Sequence, residues 1–406
     1  MEINKNEFIF AISFALDYLE MGKGINVSNH NKRVCLIATL TAKEMGMPED
    51  DILDLYGYAM MHDNGITYKS YEALTEKGAI DFALDPSHCL VGEENLSHFP
   101  FGKKRENIIK YHHENCDGSG PFGLRGDAIP LFSRIINLSD DVEIMYHTIG
   151  DPKNIEARVN NLKGTHYDPD ICDAFFAVSR NRSFWISLGD FFVGSELHQI
   201  VPPNITELSP EELLDVSCII SGIIDAKSPF TGYHSRGEAR IAGFMSDYYG
   251  FDNEKKTKLI ISANLHDLGK LTVPNSILDK DGKLTKEEFD VMKGHTFYTR
   301  KVLEKVGGLE DITDWAANHH EKLNGSGYPY GFSEHDLPFE AQLMSCVDIF
   351  QALTELRPYR KPLELDRVAD IMNDMANAGQ INGDIVNDLM NRFKDDKEAL
   401  DPSTYM

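Results

Sequence analysis

The hydrophobic pattern of the chain is that of amphipathic helices, and few stretches alternate as a β-strand does. Residues 5–20 form the first predicted helix, and a loop after it presents His30; His234 is placed in a similar loop in the second half. Further helices are predicted over residues 32–45, 48–62, 105–114 and 131–146, over a run that opens at His88, over 209–225, and over a segment that ends at His266 and Asp267. The sequence therefore predicts an all-α fold.

Helix starts are marked by residues that satisfy the first backbone N–H groups. Ser209 and Glu212 have the spacing of a capping box at the start of the second half. A later aspartate-rich stretch resembles a calcium-binding loop, but Ile277 stands at its first ligand position. Thr285 and Glu288 within that stretch are better explained as a second capping box.

The chain divides into four predicted segments. They are a first domain at 1–149, a connector at 150–205, a second domain at 206–362 and a helical tail at 363–406. The connector contains a group of large apolar side chains, which predicts that it is packed and not a flexible linker. These are Phe175, Phe176, Phe184, Trp185 and Ile186.

Composition narrows the class of protein. The apolar share of 42% and the charged share of 26% are ordinary for a globular chain of 406 residues. The formal net charge of −25 argues against DNA and against anionic membranes, both of which attract basic surfaces. The apolar run from Phe8 to Leu16 is too short to span a bilayer, so no membrane insertion is expected. Six scattered cysteines without CxxC spacing are interpreted as reduced core thiols of a cytoplasmic protein.

Ten of the 15 histidines fall into two series that follow one another in the same order. The steps between successive members are 32, 26, 24 and 27 residues in the first half, and 32, 29, 24 and 28 in the second. The first series is His30, His62, Asp63, His88, His112, His113 and Asp140, and the second is His234, His266, Asp267, His295, His319, His320 and Asp348. Such a long internal repeat indicates a duplicated domain.

Imidazole and carboxylate groups in one recurring order predict a metal site in each half. This ligand set favours iron or manganese, and zinc is compatible with it. In the second half we expect two divalent ions, one held by His234, His266 and Asp348, with Asp267 as the bridge. His295 and His319 would hold the other ion, with His320 completing that site or lying just outside it. Two ions about 3.5–4 Å apart suit an in-line displacement at phosphorus.

The second series resembles the HD-GYP branch of the HD phosphohydrolases. The resemblance rests on HDLGK at 266–270, on His295, on HHEKLNGSGYP starting at His319, and on Asp348 followed by ALTELRPYRK. It implies an all-helical, metal-dependent phosphodiesterase that hydrolyses a cyclic dinucleotide such as cyclic di-GMP or cyclic GMP-AMP. The connector also resembles one found in tandem HD proteins.

The resemblance implies roles for several residues of the second half. Asp267 is catalytic through the metals, and Lys270 matches the lysine that contacts phosphate in the family. Substrate contacts are also implied for Gly327, Tyr328 and Pro329 in the signature turn and for Arg357, which follows Thr354 and precedes Tyr359 in the last motif. A structural salt bridge would explain Arg357 equally well.

Departures from the family pattern limit these roles. Asn324 and Gln351 stand where aspartates are usual. Some relatives bind a third metal through a glutamate four residues before the first histidine, but Phe230 and Asn26 occupy that position here, which favours two ions. The first half, a degenerate HD domain, lacks the lysine, the Gly-Tyr-Pro turn and the last motif. We therefore expect it to bind metal without hydrolysing substrate, in a structural or regulatory role.

The sequence leaves two other functions open. A non-hydrolytic sensor of nucleotide or metal would keep the ligands but not need Lys270. A phosphohydrolase acting on another phosphoester, such as a nucleotide monophosphate, would share the metal site. Whether the chain is a homodimer also stays open. A further His-Asp pair, His335 and Asp336, lies outside both series and is interpreted as chance.

Overall fold

The computed structural model describes residues 2–21, 28–66, 86–100, 102–201, 205–228, 234–355 and 361–394. These residues are mostly helical, which confirms the all-α prediction. Their one sheet is a two-stranded ladder of β1 (Glu2–Asn4) and β2 (Ile205–Glu207). The chain folds as two compact units, one made of residues 4–206 and the other of residues 1–3 with 207–406. No helix of the described residues is both long enough and apolar enough to cross a membrane.

The unit of residues 4–206 is organised around one buried helix. Its helices are α1 (Lys5–Met21), α2 (His30–Glu44), α3 (Glu49–Met60), α4 (Ser87–Ser97), α5 (Leu131–Thr148), α6 (Pro152–Leu162), α7 (Pro169–Ser179), α8 (Arg182–Ser187) and α9 (Val193–Ile200). Helix α2 is buried on nearly all sides and contacts α1, α3, α5, α7 and α9. Since α7 and α9 belong to the predicted connector, that segment is packed, as its aromatic residues suggested.

The connector has its own small aromatic core. Phe175, Phe184 and Trp185 are buried, and the Trp185 indole N–H donates to the Ser179 carbonyl over 2.8 Å. Ile186 does not belong to this core, because half of it is exposed. It lies next to Trp185 on a short helix, and consecutive helical residues point in directions about 100° apart.

The second unit has its core between four helices. Its helices are α10 (Pro210–Ala226), α11 (His234–Tyr248), α12 (Asn253–Leu265), α13 (Asn275–Leu278), α14 (Lys286–Leu303), α15 (Glu310–Ala317), α16 (Phe339–Thr354), α17 (Leu365–Asn377) and α18 (Gly383–Phe393). Apolar side chains of α11, α16, α17 and α18 form one continuous cluster, with Phe350 stacked on Phe393. The described part of the predicted tail, residues 363–394, is therefore mostly helical and forms part of the core of this unit.

Both predicted capping boxes are present. The Ser209 hydroxyl accepts from the Glu212 amide at 3.1 Å, and the Glu212 carboxylate accepts from the Ser209 amide at 2.8 Å. Thr285 and Glu288 make the same exchange at 3.2 and 2.7 Å and start α14. The aspartate-rich stretch thus ends in a helix cap, as expected.

Two local predictions were wrong. His30 and His234 are not in loops, since each is the first residue of its helix, α2 or α11. Residues 105–114 form turns instead of a helix. Asn107 has φ of 63°, which interrupts a right-handed helix, and the Glu93 carboxylate accepts the amides of Ile109 and Lys110. These side-chain hydrogen bonds replace the helical ones.

The glycine of each HD motif is required by close packing. A Cβ on Gly269 would lie 1.8 Å from the carbonyl oxygen of His295 on α14. In the first half, a Cβ on Gly65 would lie 2.0 Å from the carbonyl oxygen of His88 on α4. Each glycine therefore lets the HD turn touch the backbone of the helix that carries the next histidine.

We predict that Gly269→Ala lowers the free energy of unfolding of the second unit by about 1–3 kcal/mol, because the methyl group meets backbone that cannot rotate away. Chemical denaturation of the full chain, followed by fluorescence, measures the change. Gly222→Ala is the matched control, since its Cβ meets nothing within 4 Å inside α10 and should be neutral or stabilising. Equal stability of Gly269→Ala and wild type would contradict the prediction.

Candidate metal centre

The second unit brings all seven predicted ligands into one cluster. His234 begins α11, His266 and Asp267 follow α12, and His295 lies on α14. His319 and His320 follow α15, and Asp348 lies on α16. The cluster is almost wholly buried; only His320 is appreciably exposed, with 26% of its side chain open to solvent.

Backbone carbonyls fix which nitrogen of three histidines faces the cluster. The Nδ1 atoms of His266, His295 and His319 lie 2.7, 2.7 and 2.6 Å from carbonyl oxygens three residues earlier. An Nδ1–H that donates to these carbonyls leaves the Nε2 lone pair of the neutral ring pointing inward. This is the arrangement in which histidine binds a metal ion.

Two carboxylates lie between the rings. Asp267 Oδ2 is 3.1 Å from His266 Nε2, and its Oδ1 is 3.5 Å from His295 Nε2 and 4.0 Å from His319 Nε2. Asp348 Oδ1 is 3.4 Å from His234 Nε2, and its Oδ2 is 3.7 Å from His320 Nδ1. Asp267 can therefore reach ions on both sides, as the bridging role requires.

Glu238 is a member of the cluster that sequence reasoning missed. Its Oε2 lies 3.2 Å from His266 Nε2 and 3.6 Å from His234 Nε2, and the residue has no solvent exposure. A signal was available, because residues four apart on a helix share a face and Glu238 follows His234 by four. The glutamate expected by analogy was four residues before His234, at Phe230; Phe230 and its counterpart Asn26 lie outside the described residues.

Burial and mutual charge shift the titration of the cluster. Burial lowers the pKa of His295 to about 4 and that of His320 to about 3, so both rings are neutral and available as ligands. Burial also raises the pKa of Glu238 to about 8. It lowers the pKa of His266, but the Asp267 and Glu238 carboxylates outweigh it and raise that pKa to about 9. Without a bound cation, a proton on His266 therefore balances part of the carboxylate charge.

The donor set fits divalent metal ions. Asp267 Oδ1 and both oxygens of Glu238 are buried and receive no hydrogen bond in the described part of the chain. Buried carboxylate oxygens need a cation or a donor. Three groups of ligand atoms lie close enough together to share an ion: His234, Glu238, His266 and Asp348; His266, Asp267 and His319; and His295, His319 and His320.

The first unit contains a cluster of the same kind, built from the first series of histidines and aspartates. His30 Nε2 lies 3.4 Å from Asp140 Oδ1 and 3.4 Å from His62 Nε2. Asp63 Oδ1 lies 3.8 Å from His88 Nε2 and 3.7 Å from His112 Nε2. His113 completes the set, with its Nε2 3.1 Å from that of His88. Every predicted ligand of the first half is therefore in place.

Cys89 also belongs to this first cluster, which the sequence analysis did not anticipate. Its Sγ lies 3.4 Å from His88 Nε2, and it can share an ion with His88, His112 and His113. Burial raises the pKa of the thiol, but His112 and His88 outweigh that effect and lower it to about 7. The six cysteines are all free, yet Cys218 is exposed and Cys116 is half-buried, so not all of them are core thiols.

Comparison with known proteins agrees with this geometry. A family model described as the HD domain matches residues 23–171 and 219–385, which is most of the chain and both clusters. The chain belongs to the HD-domain family. Each HD domain falls in one of the two compact units, as the duplicated series predicted.

Individual relatives are similar over different lengths. The chain is 28% identical to 3'3'-cGAMP-specific phosphodiesterase 1 of Vibrio cholerae, over 94% of this chain and 90% of that protein. It is 32% identical to a cyclic di-GMP phosphodiesterase of Thermotoga maritima over 38% of this chain and 42% of that protein. The fold matches a crystal structure of a cyclic GMP-AMP specific phosphodiesterase of V. cholerae with a TM-score of 0.66 and 22% identity, covering 100% of both chains.

The second HD domain has a cleft beside its cluster. A cavity of about 360 Å³ is lined by Lys270 and Tyr328 together with predicted ligands including His234, Asp267, His295, His320 and Asp348. Lys270 Nζ lies 2.5 Å from Asp267 Oδ2, and the Tyr328 ring centroid lies 5.0 Å from that of His320. The predicted lysine and signature tyrosine therefore border the same space as the ligands.

The signature turn is held from inside by a glutamate. The Glu321 carboxylate accepts the amides of Tyr330 at 2.7 Å and Phe332 at 3.0 Å. Gly327 packs against the backbone at the start of this turn, where a Cβ would lie 2.4 Å from the Lys322 nitrogen. Gly327 is thus placed to shape the loop, and Pro329 follows Tyr328 in the same loop through a cis peptide bond.

The departures from the family pattern have structural explanations. Asn324 Oδ1 accepts from the Ser326 amide at 3.1 Å, and its Nδ2 donates to the Ala378 carbonyl at 3.0 Å, a bond that aspartate could not make. Gln351 Nε2 donates to Glu355 Oε2 at 3.2 Å. Thr354 donates to the Phe350 carbonyl of its own helix. Arg357 and Tyr359 lie outside the described residues.

The first HD domain keeps a loop held by a glutamate but lacks the lysine. Glu114 accepts the amides of Phe122 and Leu124, as Glu321 does for its own loop. The residue in the place of Lys270 is Ile66, which is buried and carries no charge. The ligand geometry is therefore duplicated, and the lysine is not.

We predict that Glu321→Ala lowers the free energy of unfolding by about 1–3 kcal/mol, because it leaves two loop amides without their acceptor. Hydrogen exchange at the amides of Tyr330 and Phe332 should accelerate in this variant, and chemical denaturation gives the stability change. Glu334→Ala, an exposed glutamate of the same loop, is the control and should change neither quantity. Unchanged exchange in Glu321→Ala would show that the carboxylate does not hold the turn.

Proposed function

We propose that the protein is a metal-dependent phosphodiesterase that hydrolyses a cyclic dinucleotide to a linear product in its second HD domain. The observation that carries the proposal is the shared cleft, in which Lys270 and Tyr328 border the buried histidine and carboxylate cluster. Relatives named for cyclic GMP-AMP and for cyclic di-GMP support the substrate class. Both nucleotides remain candidates.

The second HD domain would hold two divalent ions. His234, His266 and Asp348 would hold one and His295, His319 and His320 the other, with Asp267 between them. Iron or manganese suits this mixture of imidazole and carboxylate, and zinc is compatible with it. Such ions supply the Lewis-acid charge that phosphodiester hydrolysis requires.

The charge of the cleft supports metal dependence. Asp267, Asp348 and Glu238 are buried together, and three carboxylates would repel a phosphodiester anion. Lys270 contributes a cation at the edge, where its ammonium group can donate to a non-bridging phosphate oxygen as negative charge develops there. Lys270 also ion-pairs with Asp267, so it orients that carboxylate before substrate binds.

The first HD domain is proposed to bind metal without turnover. Its ligands are assembled, but Ile66 provides no cation at the position of Lys270. We further propose a cytoplasmic location, which the six free cysteines support, and no DNA partner, in line with the net charge of −25. A sensor that binds nucleotide without turnover is the main rival, and hydrolysis of another phosphoester is the other.

The decisive experiment is an assay of the metal-loaded full chain with cyclic GMP-AMP, cyclic di-GMP, cyclic di-AMP and simple phosphoesters. Chromatography resolves linear dinucleotides from intact rings. Turnover of a cyclic dinucleotide supports the proposal. Binding of the nucleotide without turnover would favour a sensor, and cleavage restricted to monophosphates would favour another phosphohydrolase.

We predict that replacing both His266 and Asp267 by alanine lowers the rate of hydrolysis at least about 100-fold, because a histidine ligand and the bridging carboxylate are lost together. The same pair of changes at His62 and Asp63 should leave most of the activity, since those residues belong to the other unit. Alanine at the exposed pair His335 and Asp336 is the control and should have no effect. Loss of activity on changing His62 and Asp63 alone, in a folded protein, would contradict the assignment.

We also predict that the first cluster binds metal. In the full chain, changing His62 and Asp63 to alanine should reduce the metal content measured by elemental analysis. It should also remove the part of the chelator-induced fall in melting temperature that belongs to the first unit, since a bound ion stabilises only the folded state. Unchanged metal content would refute this prediction and leave the first cluster as hydrogen-bonded histidines.

A further inference from the structure

We propose that Glu238 is a direct ligand of the ion held by His234, His266 and Asp348, which gives that ion four protein ligands. The inference rests on the proposed function only in assuming that the second cluster binds metal. It adds a ligand that the two histidine series do not contain. It also makes the two duplicated sites chemically different.

Glu238 and His266 bring two potential metal-binding atoms close together. The Nδ1 of His266 is used by the Ala263 carbonyl, so the Nε2 of the neutral ring presents a lone pair. That atom faces Glu238 Oε2 at 3.2 Å. In their unprotonated forms, two acceptors at this distance repel each other unless a proton or a metal cation lies between them.

One ion would satisfy the whole group. Ligand atoms from His234, Glu238, His266 and Asp348 all lie within 4.8 Å of one another. A proton shared between Glu238 and His266 would satisfy that pair alone. A divalent ion contacts all four groups and balances two carboxylates at once.

Among the described residues, Glu238 has no hydrogen-bond donor that would explain its burial. The residue has no exposure, and neither carboxylate oxygen receives a hydrogen bond within the described part of the chain. A buried carboxylate without a donor or a cation is strongly unfavourable. A structural glutamate would be expected to accept from backbone amides, as Glu321 does in the same unit.

In the first HD domain, the residue that corresponds to Glu238 is the fully buried Val34. Its neighbour Arg33 donates to Glu143 at 2.7 Å, and the other oxygen of Glu143 lies 2.7 Å from His30 Nδ1. Without a carboxylate from Val34, the matching group of ligand atoms contains only His30, His62 and Asp140.

The second HD domain has replaced all three positions together. Gly237 stands in place of the arginine and Gln351 in place of its glutamate partner. Gln351 occupies the freed space, since a Cβ on Gly237 would lie 2.1 Å from its Nε2. Glu355 takes over the contact with the first histidine, with its Oε2 3.0 Å from His234 Nδ1. Glu238 is therefore available to the ion while another carboxylate orients the ring.

The test compares Glu238→Gln with its parent in the full chain, with His62 and Asp63 changed to alanine in both to remove the first cluster. Mn²⁺ is the probe, and its affinity is measured by competition with a chelator. Loss of a residue that hydrogen-bonds a metal ligand lowers metal affinity about 10–100-fold. Loss of a direct ligand should therefore weaken Mn²⁺ binding at least about 100-fold. Glu340→Gln, which breaks an ion pair of α16 with Lys255 away from the cluster, is the matched control and should bind as the parent does.

Melting temperature separates a ligand from a structural residue. Without metal, Glu238→Gln should melt no lower than its parent, because glutamine has nearly the same size and carries no charge that needs a partner. With Mn²⁺ the parent should gain stability and the variant should gain much less. Parental Mn²⁺ affinity in Glu238→Gln would overturn the inference and leave the proposed function standing. A variant that melts lower without metal and binds Mn²⁺ normally would make Glu238 structural, and a parent that binds no Mn²⁺ would overturn both.

Discussion

The orientation of the histidine rings is the constraint on which the metal centre depends. In the second unit, three of the five histidines predicted as ligands place Nδ1 on the carbonyl oxygen three residues earlier, at the end of a helix or inside one. His62 and His112 repeat this contact in the first unit. Because the backbone fixes the ring, Nε2 faces the cluster before any ion arrives. The helices therefore pre-organise the ligands. The entropic cost of ordering these side chains arises during folding and not during metal binding.

Contacts with the backbone also explain why the HD motif is present in a half that lacks the predicted substrate-binding residues. Gly65 and Gly269 both allow their turns to touch a carbonyl of the next ligand helix. Glu114 and Glu321 both hold a loop by accepting its amides. These contacts stabilise the fold of each HD domain, so losing them would lower its stability. The fold does not require the Lys270 side chain in this way, since the buried Ile66 at the same position is compatible with the same scaffold.

Much of the fold and most of the site could be predicted from the sequence, because repetition separates ligands from incidental histidines. His335 and Asp336 have the HD letters without the series, and they lie exposed on a loop. Glu238 could not be found by comparing the halves, since the first half has Val34 there. The false helix at 105–114 had helical composition, and only the distant Glu93 carboxylate and the positive φ of Asn107 disrupt it. Sequence spacing does not reveal which side chain competes for backbone amides.

Charge balance distinguishes the two clusters more sharply than ligand count does. In the first unit, the carboxylate that orients His30 is already neutralised by Arg33, which is almost fully buried. In the second unit the matching arginine is absent, and Glu238 adds a carboxylate beside Asp267 and Asp348. A buried excess of negative charge is unfavourable until cations enter, and the same excess then binds those cations more strongly. The first cluster therefore balances part of its charge within the protein, whereas the second depends on bound metal for both its charge balance and its chemistry.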